Sequence, residues 1–115
     1  MTDHLAVSVA ASPSRVLVRV SGECDATTAE QLRDTLTSQR TSAAPLIVAD
    51  LSGLTFIDVA VAHALIEAHD HLASNGKRLI LVCPQQLVAR VLDLTGASLL
   101  IPVFRGSNDE PGCSW

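Results

Sequence analysis

Leu46-Ile47-Val48-Ala49-Asp50-Leu51-Ser52-Gly53-Leu54-Thr55-Phe56-Ile57-Asp58-Val59-Ala60-Val61-Ala62-His63-Ala64-Leu65 is the stretch around which the chain is organised. Leu46 to Ala49 is a continuous apolar run with two β-branched residues, the pattern of a strand covered on both faces. Ser52-Gly53 reads as turn punctuation. Asp58 can accept the unpaired amides of a following helix, and its charge suits that helix's positive end. A strand that feeds a helix N-terminus is a common platform for docking or phosphate chemistry, so function is expected here.

Working towards the N-terminus, Leu5, Val7 and Val9 alternate with Ala6, Ser8 and Ala10, and Val16, Val18 and Val20 alternate with Leu17 and Arg19. Ser12-Pro13-Ser14 lies between them, which predicts an antiparallel hairpin, with Gly22 marking the exit from its second strand. A first helix opens between Asp25 and Thr28, where Thr27 and Glu30 have capping-box spacing. Ala29, Leu32 and Leu36 give it one apolar stripe.

Towards the C-terminus, a second helix runs from Asp58 towards Asn75, with Gly76 as its C′ residue. Ala62, Leu65, Ile66, Leu72 and Ala73 form its expected inward stripe, with His69 at the edge. Arg78 to Cys83 is a further buried strand, and Pro84 sits where a helix begins. Leu87, Val88, Val91 and Leu92 stripe a third helix ended by Gly96. Leu99 to Phe104 is expected to be the last strand, with Pro102 at an edge or end. The whole is an α/β fold: a single small domain with a mixed β-sheet, an N-terminal hairpin followed by parallel strands joined by helices. Residues 1–104 form the domain, and 105–115 are expected to be a flexible tail.

Composition narrows the function. At 115 residues the chain holds one domain, and its 48% apolar content suits a packed core. Aromatic residues are only 3%, so that core is Leu, Val, Ile and Ala. A net charge of −4 argues against a nucleic-acid binder, which needs a basic face. No run reaches the roughly 18 apolar residues that suggest a membrane span, so no membrane insertion is expected. No secretory signal is evident, which leads to an expected cytoplasmic location.

Chemistry-bearing residues point away from catalysis. There is no Gly-x-Gly-x-x-Gly, Walker or Gly-x-Ser-x-Gly sequence. Asp50 and Asp58 stand at element ends, where capping accounts for them. His63, His69 and His71 share one helix with no nucleophile beside them. His63, Glu67 and His71 fall on adjoining turns, but the spacing is not that of a zinc protease, and no metal or cofactor is assigned. Cys24, Cys83 and Cys113 have wide, unequal spacing without Cys-x-x-Cys. They read as free thiols, Cys24 and Cys83 in the core. Cys113 is the exposed one, with a disulfide to Cys24 or Cys83 as the alternative.

Asp50-Leu51-Ser52-Gly53-Leu54, Phe56-Ile57-Asp58 and Ala64-Leu65 together resemble the central motif of STAS domains, the family of anti-sigma factor antagonists. Four other segments agree in order: Arg19 to Asp25, Ala29 to Leu32, Gly76 to Leu79, and Val91 to Gly96. The resemblance implies a non-catalytic protein that binds an anti-sigma factor, itself a histidine-kinase-like ATPase, through the start of the second helix. Asp25, Thr55, Asp58, Val59, Ala60 and Val61 would then face the partner. The family commonly has Asp-Ser-Ser-Gly at that helix start, with the first serine phosphorylated. Here the four positions are Asp58, Val59, Ala60 and Val61, so Val59 stands as a degenerate phosphosite without a hydroxyl. The alternative within the resemblance is an adaptor subunit of a lipid-transport or other multi-protein assembly.

Overall fold

The computed structural model describes residues 5–83 and 85–105. Strands β1 (Leu5–Ala11) and β2 (Arg15–Cys24) form the expected antiparallel hairpin, closed by Ser12, whose hydroxyl and amide both bond the Arg15 carbonyl. Helix α1 (Ala26–Thr37) and a short 3₁₀ turn lead to β3 (Leu46–Ile57). Helix α2 (Val59–Ala73), strand β4 (Arg78–Val82), helix α3 (Gln86–Thr95), a one-turn helix α4 (Ala97–Leu100) and strand β5 (Val103–Phe104) complete the order. The sheet runs β1-β2-β3-β4-β5, parallel from β2 onward. The expected α/β architecture with a mixed sheet is therefore the one observed.

Crossovers of one hand that step along a sheet in one direction leave their helices on the same face. The core agrees: inward residues of β2, β3 and β4 pack with the buried stripes of all four helices in one cluster. Val48, Ile80 and Val82 form a separate small cluster on the other face with Leu17 and Leu46, and no helical residue joins it.

The decisive local feature is in β3. Ser52-Gly53 does not make the predicted turn; the strand continues through it to Ile57. Leu51, Leu54 and Ile57 are all buried, yet strict alternation would turn Leu54 to the face opposite the other two. The pairing with β2 slips by one residue between Arg19 and Ser21 and again between Gly22 and Glu23. These two bulges each absorb one extra residue and bring the three side chains onto the helix-covered face. Gly53 is required at the first: a Cβ there would stand 2.7 Å from Ser21 Cβ. The β3–β4 pairing ends at Asp50 and Val82, before Leu51 and Leu54 of β3. The Gln85 side-chain amide donates to both of their carbonyls, at 2.8 and 2.6 Å.

Further expectations are corrected. Gly22 does not end β2, which runs on to Cys24, because pairing with the extended β3 holds it. The capping box of α1 is Asp25 with Thr28, not Thr27 with Glu30, because the helix begins two residues earlier. Leu99 to Phe104 is not one strand: Gly96 takes a left-handed φ of 86°, α4 follows, and only Val103–Phe104 pairs with β4. Leu87 and Ala73 lie outside their helices' buried stripes and are exposed, while Val61, Ala64 and Ala68 join the core. Helix α2 ends at Ala73 with Ser74 as its cap, and Gly76 reverses the chain at φ 76° two residues on. The expectation for Pro84 lies outside the described residues.

Candidate functional site

Two parallel strands end level with each other, and each hands the chain to a helix through an aspartate. Cys24 pairs with Ile57 at the last rung of β2 and β3; Asp25 and Asp58 follow. Both aspartates have extended backbone and cap the next helix. Asp25 Oδ1 accepts the Thr27 amide at 2.9 Å and the Thr27 hydroxyl at 2.6 Å. The Thr28 hydroxyl accepts the Asp25 amide at 3.0 Å, completing the box. These bonds, the Thr27 hydroxyl foremost, hold the Asp25 carboxyl below its ordinary range.

Asp58 does more than cap its own helix. Its Oδ1 accepts the Val61 amide at 3.2 Å, while its Oδ2 accepts the Ala26 amide, on the first residue of α1, at 3.1 Å. One carboxylate thus closes the N-termini of two helices. The positive helix ends already face two carboxylates, so the junction is ill-suited to a further anion. Chemically it is a rigid platform.

Apolar side chains surround this polar junction. Phe56, two residues before Asp58, is 49% exposed, and Val59, one after it, is 53% exposed. Ala60 is half-buried against the core, and Val61 is fully buried. Of the three residues at the helix start, Val59 supplies the surface. Thr55 is exposed, and its hydroxyl donates to the Gly22 carbonyl at 3.3 Å. Thr55, Phe56 and Ile57 form one wall of an apolar groove; Leu87, Val88 and Val91 of α3 form the other. Across β2 and β3, Phe56 pairs with Glu23, which is also exposed.

Asp25, Thr55, Asp58, Val59 and Ala60 therefore converge at one end of the sheet, with Val61 beneath them. Phe56, Leu87 and Gln85 were not assigned to the site from sequence. Phe56 was legible as an aromatic inside the quoted motif; Leu87 was not, because its exposure depends on the tilt of α3. Cys24 and Cys83 are buried free thiols. Burial raises the Cys24 thiol, opposed by its Thr28 contact, and pushes Cys83 up to about 11. Cys113 and its proposed pairings lie outside the described residues. Glu67 bonds Arg33 of α1 at 3.2 Å. No described helix is long and apolar enough to cross a membrane.

A sequence model described as the STAS domain matches residues 6–110. Among solved structures, an anti-sigma factor antagonist from Mycobacterium paratuberculosis is similar, with TM-score 0.80 and 24% identity over 92% of this chain and 90% of that one. The unphosphorylated anti-sigma factor antagonist SpoIIAA, a Bacillus cell fate determinant, is similar with TM-score 0.75 and 21% identity over 95% and 94%. A murine Solute Carrier 26 member A9 anion transporter gives TM-score 0.70 and 18% identity over 84% of this chain, but only 17% of its own length.

Proposed function

The chain belongs to the STAS domain family, and we propose that it is a non-catalytic regulatory protein that docks an anti-sigma factor of the histidine-kinase-like ATPase kind at the start of α2. The observation that carries this reading is the exposed pair Phe56 and Val59 flanking a carboxylate that locks two helix starts together. An apolar side chain held in water on a rigid platform has no benefit to the free domain. Covering the exposed half of a valine contributes about 1 kcal/mol.

Regulation by phosphate at this helix start is closed to the chain. Val59, Ala60 and Val61 carry no hydroxyl, and Thr55 is the one hydroxyl residue between 55 and 63. An added phosphate would also face Asp25 and Asp58. The protein therefore acts as an antagonist that a kinase does not switch off at this point.

Calorimetric titration with a candidate anti-sigma factor tests the reading. Val59→Asp is expected to lower affinity by about tenfold or more, which is roughly 1.4 kcal/mol. Its melting temperature should stay near that of the parent. Unchanged affinity in a folded Val59→Asp would place the docking surface elsewhere. Incubation with ATP and the kinase should leave residues 55–63 free of phosphate by mass spectrometry. Capture of transport components in place of an ATPase would favour the adaptor alternative.

A further inference from the structure

We infer that two copies of this chain pair along the outer edge of β1, antiparallel about a two-fold axis through Ser8, and join their sheets into one. Among the described residues only β2 pairs with β1, so the other side of this seven-residue strand is a sheet edge. Protein sheets usually guard such an edge with a lysine, a proline or a bulge. Leu5-Ala6-Val7-Ser8-Val9-Ala10-Ala11 has none of these, and its pairing with β2 runs without a shift from Leu5 to Ala11.

Backbone direction fixes which residues are free to pair. The hairpin closes with the Ser12 amide donating to the Arg15 carbonyl at 2.9 Å. Hydrogen-bonded and non-hydrogen-bonded pairs alternate along an antiparallel ladder. Counting back from Ser12, Ala10, Ser8 and Ala6 bond to β2, while Ala11, Val9, Val7 and Leu5 aim their amides and carbonyls outward. Side chains alternate with the same period, so these last four also share the helix-covered face. Leu5 and Val7 pack against the core there, whereas Val9 is 45% exposed.

The sequence of β1 reads nearly the same in both directions about Ser8, and this selects a second copy as the occupant. Laid antiparallel, that copy sets Val7 opposite the partner's Val9 and Leu5 opposite the partner's Ala11. All are outward-facing residues, so about eight backbone hydrogen bonds form in register. A slip of one residue would set bonded groups against free ones, and a slip of two would shorten the ladder. Each exposed Val9 gains a valine neighbour on the helix-covered face. On the open face the close pairs are Ala6 with the partner's Ala10 and Ser8 with the partner's Ser8, all small. β1 carries no charge, and Arg19, which lies opposite Ser8 in the hairpin, is 3.9 Å from Asp50. No unneutralised like charges therefore meet at the axis.

The contact closes on itself. The opposite edge of the sheet is β5, whose two residues are too few to extend it. An isologous pair with one usable edge per copy stops at a dimer. Seven residues a side is well below the roughly 20–30 of a standard interface, so the dimer exchanges with monomer at micromolar concentrations. Because the paired strands are antiparallel, the ends of β2 and β3 that bear Asp25 and Asp58 point in opposite directions in the two copies. The dimer then offers two docking surfaces, one at each end. That bivalence, though not the dimer, rests on the reading under Proposed function.

Sedimentation of the full chain over a concentration series tests this without any partner. The mass should rise from 12.1 kDa towards twice that value. Val9→Lys and Val9→Pro, both at an exposed edge position, should weaken association by roughly tenfold or more while melting near the parent's temperature. Leu87→Asp, at a 74% exposed position on α3, should leave association unchanged. Cross-linking in a chain with Cys113 changed to serine reads the register. Ser8→Cys should form an intermolecular disulfide, because its two α-carbons stand about 4.5 Å apart across the axis. Ala10→Cys should not, since the residue opposite it is the partner's Ala6. A monomer at every concentration up to about 1 mM would overturn the proposal. So would a dimer indifferent to both Val9 variants in protein with native circular dichroism, or one broken by Leu87→Asp. Cross-linking at Ala10→Cys in preference to Ser8→Cys would overturn the register, and particles larger than two copies would overturn the closed pair.

Discussion

Asp58 Oδ2 accepts a hydrogen bond from the backbone nitrogen of Ala26 at 3.1 Å, across 32 positions of sequence, while its Oδ1 caps its own helix at Val61. This places the cap of α2 in charge of α1 as well. Removing the carboxylate should therefore cost more than an ordinary cap. Asp58→Ala is expected to lose about 2–3 kcal/mol, against about 1 for a single cap. Asp58→Asn keeps one acceptor oxygen and should recover about half of that loss. Urea unfolding measures both; a loss under about 0.5 kcal/mol in Asp58→Ala would show that the bridge contributes nothing.

Val59 and Val61 are two residues apart and have opposite fates. Val59 is half exposed and Val61 fully enclosed. Val61→Ala should destabilise by about 1–3 kcal/mol through lost burial and a residual cavity. Val59→Ala should stay within about 0.5 kcal/mol of the parent. Thermal melts of the two variants compare them directly, and a reversed order would put the helix in a different rotation.

The β3 bulge depends on the absence of one methyl group. In Gly53→Ala the new Cβ meets Ser21 Cβ at 2.7 Å, with Ser21 Cα and the Val20 carbonyl both at 3.2 Å. A loss of about 1–3 kcal/mol is expected. Ser21→Gly in the same chain should relieve part of it, leaving the backbone contacts. A double-mutant cycle with no coupling between positions 21 and 53 would rule out this close approach as the reason for the glycine.

Cys83 is enclosed, and burial raises its thiol from an ordinary 9.0 to about 11. Folded protein should react with a thiol reagent at neutral pH at neither Cys83 nor Cys24, whereas unfolding should expose both. The pH dependence follows. Below about pH 9 the thiol is protonated in both states and contributes no pH dependence. Between about 9 and 11 the unfolded chain has lost the proton and the folded one has kept it, so stability falls as pH rises. Cys83→Ala should flatten that part of the stability curve. An unchanged alkaline slope would show that Cys83 does not control it.

Much of the architecture was legible in local pattern. Val16, Val18 and Val20 alternate through a covered strand, and Ala29, Leu32 and Leu36 stripe a helix, because period 2 and period 3.6 are set by backbone geometry alone. Asp58 was legible as a helix cap for the same reason, since capping is satisfied within three residues. The last strand was misjudged where Leu99 and Leu100 looked buried by type. Their helix is one turn long, and its outer side is exposed.

The α/β order, the aspartate at each helix start and the missing hydroxyl at Val59 are legible in the residues alone, because each is a property of near neighbours in the chain. Tertiary structure alone decided that β3 runs through Ser52-Gly53. The pairing that makes those residues a bulge and not a turn is supplied by β2, and Gln85 of a distant segment completes it. It also decided that Asp58 serves two helices and that Val59, Phe56 and Leu87 share exposure near one end of the sheet. Those relations join residues about 30 positions apart, and no local periodicity encodes which of them will meet.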